Sequence, residues 1–120
     1  MLSIPRENTV YKKFLAIAFV FLTIVNFSFA SSALAGDAAS GGKIFGANCA
    51  ACHMGGNNVI NGAKTLKQDA LKQYDMYSLE AIKYQVVNGK NAMPAFGNKL
   101  TDAQIEDVAT YVLSQADGGW

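Results

Sequence analysis

The sequence predicts an all-α domain of about four short helices over residues 36–120, behind a leader at residues 1–35. Three observations predict it. After the leader the only adjacent β-branched pairs are Val59-Ile60 and Val86-Val87, too short for strands. Apolar residues recur at helical spacing in separate stretches. Capping residues and glycines bracket those stretches at the places where helices start and stop.

The leader comes first. "MLSIPRENTVYKK" carries Arg6, Lys12 and Lys13, and "FLAIAFVFLTIV" follows as 12 residues without a charge. "NFSFASSALA" closes it, with Ala33 and Ala35 in an A-x-A arrangement. A basic start, an apolar middle and a small-residue end are the parts of a secretory signal peptide. The apolar run falls short of the roughly 20 residues that a spanning helix needs. Cleavage is expected after Ala35, and the lack of a twin arginine favours the general secretion route. The remaining 85 residues hold seven lysines against eight carboxylates, a formal charge of −1. That balance argues against a nucleic-acid-binding surface, which needs a basic excess. A domain this small buries a modest core and often needs a staple or a cofactor.

The first helix is expected over Ala38–Asn48, capped by Asp37. It contains Gly41, Gly42 and Gly46, each costing up to about 1 kcal/mol against alanine. Close packing of another helix is the expected reason, with Ile44 and Phe45 supplying apolar contacts. "LKQDALKQY" is a weaker helix with Leu71 and Tyr74 inward. "SLEAIKYQVVNGK" starts at the cap Ser78, buries Leu79, Ile82 and Val86, and stops at Gly89. "LTDAQIEDVATYVLSQA" opens on a capping box, Thr101 with Gln104. Ile105, Val108, Ala109 and Val112 follow at helical spacing, Tyr111 flanks them, and Gly118-Gly119 lies beyond the end. "MGGNNVINGAKT" and "GKNAMPAFGNK" read as loops, where function concentrates.

"CAACHMGG" holds both cysteines, Cys49 and Cys52, and the single histidine, His53. Structural zinc wants four Cys or His ligands, and the chain offers three. A thioredoxin-like dithiol has this spacing but belongs beside a βαβ unit. A disulfide here closes a very small loop, and stabilisation grows with loop length. The reading that remains is covalent haem c, one per chain. Each thiol adds across one porphyrin vinyl group, and the histidine that follows ligates the iron; C-x-x-C-H is the attachment signal. The haem then supplies the apolar disc around which a small domain can pack.

With one histidine, bis-histidine ligation is ruled out, so the sixth position is either open or filled by another residue type. Methionine is the natural thioether donor for a sixth position. Met54 is tethered beside His53 on the same side of the ring. Met76 lies in "YDMYS" between two helices. Met93 lies in a loop bracketed by Gly89 and Gly97, and Pro94 holds it extended. Met93 is the expected ligand and Met76 the other candidate. A haem with both axial positions filled carries electrons and leaves no open site for oxygen or peroxide, so no enzyme activity is expected.

"IFGANCAACHMGGNNV", "QVVNGKNAMPAF" and "LTDAQIEDVATYVLSQA" together resemble the cytochrome c6 family, in order and over essentially all of residues 36–120. The resemblance implies the class I cytochrome c fold, with the first and last helices crossing. It implies that Phe45 and Tyr111 meet near the crossing, where Gly41 or Gly42 permits close approach. Cys49 and Cys52 match the thioether positions, His53 the proximal ligand and Met93 the distal ligand. Gln85 matches a glutamine near the haem whose amide tunes the potential; its spacing alone equally allows a solvated or partner-facing side chain. The resemblance further implies a soluble, monomeric carrier moving electrons from the cytochrome b6f complex to photosystem I in the thylakoid lumen. It also allows donation to a terminal oxidase. Many cyanobacterial members place an arginine just after the methionine loop for docking; Lys99 stands there, keeping the charge without the planar fork. A single-stage leader of this length fits a bacterial or plastid gene better than a nuclear one.

Transfer is expected through an exposed haem edge. Asn57, Val59, Ala63, Ala92, Pro94 and Ala95 are the candidates to touch the partner, and Lys64, Lys90 and Lys99 to steer it. The competing readings are a periplasmic carrier serving an oxidase or reductase, a haem sensor in which Met93 is labile, and a haem-free dithiol protein.

Overall fold

The computed structural model describes residues 9–27 and 36–120. It divides into two compact units, Met1–Leu34 and Ala35–Trp120. The expected cleavage point after Ala35 involves a residue outside the described ones. In the first unit a helix, α1, spans Thr9–Phe27. Among the described residues no helix is long and apolar enough to cross a membrane.

The second unit is helical. α2 spans Ala38–Asn48, α3 Ala50–His53, α4 Gln68–Gln73, α5 Leu79–Asn88 and α6 Asp102–Gly118, with a 3-10 turn at Met54–Gly56. The extended pairing among the described residues is a single bridge between Lys90 and Met93. Local signals set most boundaries. The Asp37 carboxylate accepts from Ala39 and Ser40 N–H, and Ser78 Oγ accepts from Ala81 N–H at 3.1 Å. Thr101 and Gln104 close both arms of the capping box, at 2.9 and 3.2 Å.

α2 and α6 cross at their backbones. A Cβ on Gly41 would fall 2.0 Å from the Asp107 carbonyl oxygen, so no side chain fits there. Gly42 is looser, with its Cβ position 3.1 Å from the Tyr111 ring. The close-packing reason therefore holds at Gly41 and Gly42. Gly46 departs from it, because nothing lies within 4 Å of its Cβ position. Phe45 and Tyr111 meet as expected, ring centroids 5.2 Å apart. Behind the crossing Ile105, Val108, Ala109 and Val112 are buried, with Leu71, Ile82, Val86 and Phe96 completing one core.

α2 covers Ala38–Asn48 as expected, and the C-x-x-C-H residues then form a helical turn of their own, α3. Three details differ from expectation. Leu79 is only partly buried. Gly118 is the last residue of α6, and Gly119 (φ 91°) is the left-handed cap. Tyr74 stays out of the apolar core and faces inward only as part of a cavity lining: α4 ends at Gln73 and Asp75 turns the chain at φ 56°. A polar clasp ties this region to α6. Tyr77 Oη donates to the Asp117 carboxylate, and Gln68 Nε2 donates to the same Asp117 oxygen at 2.9 Å.

Candidate functional site

α3, the loop over 58–66, α4, α5, the loop over 90–96 and α6 enclose a cavity of about 540 Å³. This lies within the roughly 300–1,000 Å³ of ordinary ligand and cofactor sites. Cys49, Cys52, His53, Gln85 and Met93 all line it. Met76 lines it too, whereas Met54 is 72% exposed on the surface. Its deeper wall is apolar, made by Phe45, Leu71, Ile82, Val86, Val108 and Val112.

The histidine is held in one tautomer. Its Nδ1 lies 2.9 Å from the carbonyl oxygen of Asn57. A carbonyl only accepts, so Nδ1 carries the proton and the Nε2 lone pair is left for a metal. The local chain supplies this partner: the 3-10 turn ends at Gly56, and Val59 N–H then donates to the Cys52 carbonyl at 3.1 Å, folding the segment back over α3. Burial pushes the Cys49 thiol up to about 11. A redox dithiol works through a thiolate of lowered pKa, so this environment argues against that use. Cys49 and Cys52 are not joined in a disulfide, and among the described residues no three His, Cys, Asp or Glu side chains form a metal-binding group.

Met93 is presented by a clamped loop. Lys90 and Met93 exchange N–H and C=O bonds, both 3.0 Å, across a turn in which Asn91 takes φ 53°. Phe96 and Gly97 donate to the Val86 and Val87 carbonyls at 2.8 and 3.2 Å, fixing the loop to α5. Gly89 starts the loop at φ 64°, ψ 179°, and a Cβ there would lie 2.5 Å from the Met93 carbonyl oxygen. Gln85 projects from α5 into the cavity, its Nε2 donating to Met93 Sδ at 3.6 Å. Of the residues named for partner contact, Asn57, Val59, Ala63, Ala92, Pro94 and Ala95 are all exposed. Lys64 and Lys90 stand in the cavity lining, Lys64 Nζ 5.1 Å from the Tyr74 ring centroid. Lys99 lies 5.6 Å from that of Phe96.

Comparison with known proteins agrees with this geometry. The family described as "Cytochrome C oxidase, cbb3-type, subunit III" matches residues 36–112. Cytochrome c6 of Gloeothece citriformis is 58% identical over 109 residues, 91% of this chain and 99% of that protein. Cytochrome c6 of Synechococcus elongatus is 64% identical over 84 residues, 70% of this chain and 97% of that protein. The crystal structure of cytochrome c6 from the diatom Phaeodactylum tricornutum superposes with a TM-score of 0.69 at 54% identity, covering 71% of this chain and all of that one.

The chain belongs to the cytochrome c6 family.

Its fold is that of the class I cytochromes c, and like the rest of the cytochrome c6 family it is an electron carrier and not an enzyme. It carries haem c attached through Cys49 and Cys52. The cavity fits that group on three counts. Its inner wall is apolar, two cysteine sulfurs outside any disulfide sit at one side, and a histidine keeps one nitrogen lone pair uncommitted.

One residue of this region escaped the sequence reading. Trp120 ends the chain, yet its ring stacks toward Phe45 at 5.4 Å between centroids and its Nε1–H donates to the Leu66 carbonyl at 2.9 Å. Its position after two glycines carries no periodic signal. Only the bulk and apolarity of the side chain could have flagged it.

Proposed function

We propose that this chain is a soluble carrier of single electrons from the cytochrome b6f complex to photosystem I in the thylakoid lumen, after removal of residues 1–35. In this reading His53 and Met93 would hold the haem iron and Gln85 would adjust its potential. The observation that carries it is the convergence of the C-x-x-C-H turn, the Met93 thioether and the Gln85 amide on one apolar cavity.

Haem c supplies the one-electron ferric/ferrous cycle. The chain does the rest. His53 offers Nε2 because Asn57 holds the Nδ1 proton. Met93 offers a soft thioether, which raises the potential relative to other axial sets. The clamps on its loop hold that sulfur in place, so little reorganisation accompanies transfer. Gln85 directs an amide N–H at the same sulfur, drawing on its lone pairs. The exposed small side chains at Ala63, Ala92, Pro94 and Ala95 let a partner approach closely, as weak and short-lived redox encounters require. Lys64, Lys90 and Lys99 steer the approach.

A second reading is donation to a terminal oxidase from the periplasm or the lumen. The match of residues 36–112 to a family described by an oxidase subunit favours it. The test is flash-induced re-reduction of photosystem I by the reduced, haem-loaded protein. Fast, concentration-dependent re-reduction, slowed several-fold in Lys99→Glu, is the expected result. No re-reduction with an intact haem spectrum would overturn the photosynthetic assignment and leave the oxidase as recipient.

A further inference from the structure

We propose that Trp120 is a positioning residue for the haem ligand His53: the last side chain of the chain holds the segment whose carbonyl orients the imidazole. The proposal rests on the reading that His53 would hold the haem iron. Trp120 is fastened at two points. Its ring lies flat on Gly56, whose Cβ position would be 2.5 Å from the indole carbons, and Gly56 takes φ 74° to present that bare face. Its Nε1–H donates to the Leu66 carbonyl at 2.9 Å. Leu66 N–H in turn donates to the Gly56 carbonyl at 2.7 Å, closing the Gly56–Leu66 loop at its neck. The indole therefore braces both strands of that neck. The next residue after Gly56 is Asn57, whose carbonyl accepts the His53 Nδ1 proton at 2.9 Å.

The rear of the indole is fixed as well. Phe45 lies 5.4 Å away and Tyr111 6.1 Å, edge-on, so the α2–α6 crossing is the rigid base of the brace. The chain end cannot swing freely, because Gly119 and Trp120 N–H groups both donate to the Gln115 carbonyl at 2.9 Å. The line of contacts runs from the helix crossing through Trp120 to Gly56, Asn57 and the imidazole.

The chemistry gives the effect a direction. A hydrogen bond from the distal ring nitrogen of a ligating histidine raises its basicity as a ligand. A more basic ligand favours the ferric state. Loosening the Asn57 carbonyl weakens that bond, so the ferrous state gains and the potential rises.

Trp120→Phe keeps an aromatic ring against Phe45 and Tyr111 and removes the N–H donor; Trp120→Ala removes both. Two readouts on the haem-loaded protein report the coupling: hydrogen exchange of the His53 Nδ1 proton by NMR, and the midpoint potential. The expected result is exchange at least tenfold faster. It is accompanied by a threefold or larger shift of the redox equilibrium toward ferrous, about 28 mV upward at 59 mV per tenfold. Parental exchange and potential in both variants would overturn the proposal and leave Trp120 as packing; if Trp120→Ala yields no haem-loaded protein, Trp120→Phe decides alone. The same spectra separate this outcome from a failure of the ligand assignment. Ring protons of a ligating His53 are displaced far from their ordinary positions by the haem in every variant, and undisplaced protons would mean that His53 is not the ligand.

Discussion

Gly89→Ala is the change that most directly tests how the methionine loop is built. Gly89 ends α5 at φ 64°, ψ 179°, a backbone region that residues with a Cβ occupy only at a cost of about 1–3 kcal/mol. The added methyl would also sit 2.5 Å from the Met93 carbonyl oxygen and 2.7 Å from Ala95 N. Both are backbone atoms, so no rotamer change relieves the clash, and overpacking of this kind costs about another 1–3 kcal/mol. The sum, about 2–6 kcal/mol, is a large share of the roughly 5–15 kcal/mol that holds a small domain together. The chain has two ways to respond. It can lose stability throughout, or it can release the loop and withdraw Met93 from the cavity. Guanidinium unfolding of the haem-loaded protein measures the first, as a fall in midpoint at unchanged slope. The red charge-transfer absorption of a methionine–iron bond measures the second. Gly46→Ala is the control, because its Cβ position is open and it lies inside α2. It should stabilise by up to about 1 kcal/mol. A Gly89→Ala protein with the parental midpoint and the parental absorption would refute the reasoning.

Met93→Ala should open a coordination position, admit carbon monoxide to the reduced protein and lower the potential by more than about 30 mV, or about 0.7 kcal/mol for one electron at 59 mV per tenfold; an unchanged spectrum and potential would hand the role to Met76. Gly41→Ala should destabilise by about 1–3 kcal/mol despite the better helix propensity of alanine, since its methyl meets the Asp107 carbonyl of α6; thermal unfolding reads this directly. The Asp37 carboxyl sits below its ordinary value of 3.8, first through its bond from the Ser40 hydroxyl and then through the Ser40 and Ala39 N–H groups. A lowered carboxyl stabilises the fold fully above its ordinary value, and the contribution is lost as pH falls through 3.8 and on through the depressed folded-state value. Asp37→Asn should keep the cap and flatten that part of the acid unfolding profile; an unaltered profile would mean that the cap charge contributes nothing.

How much could be read in advance depended on how far apart the interacting residues lie. α6 was legible because its determinants are local: Thr101 and Gln104 are three residues apart and each satisfies the other's backbone. The haem attachment was legible for the same reason, since Cys49, Cys52 and His53 form one turn of chain. Met93 could be singled out because Gly89, Pro94 and Gly97 mark its loop. Tyr74 lines the cavity without joining the core, because α4 stops one residue before it and Asp75 then turns the backbone. The Tyr77–Asp117 and Gln68–Asp117 bonds join residues 40 and 49 positions apart, and no periodicity encodes such pairs.

In the sequence Gly56 is the second of two loop glycines, and Trp120 is a terminal residue. Each explains the other only in three dimensions: the glycine is bare because an indole covers it, and the indole is ordered because the glycine lets it reach the Leu66 carbonyl. A glycine whose Cβ position is open, such as Gly46, carries no such message. Among the glycines of this domain, those that a methyl group would drive into backbone or ring atoms mark contacts the fold depends on. Gly41 marks the helix crossing, Gly89 the methionine loop and Gly56 the Trp120 brace.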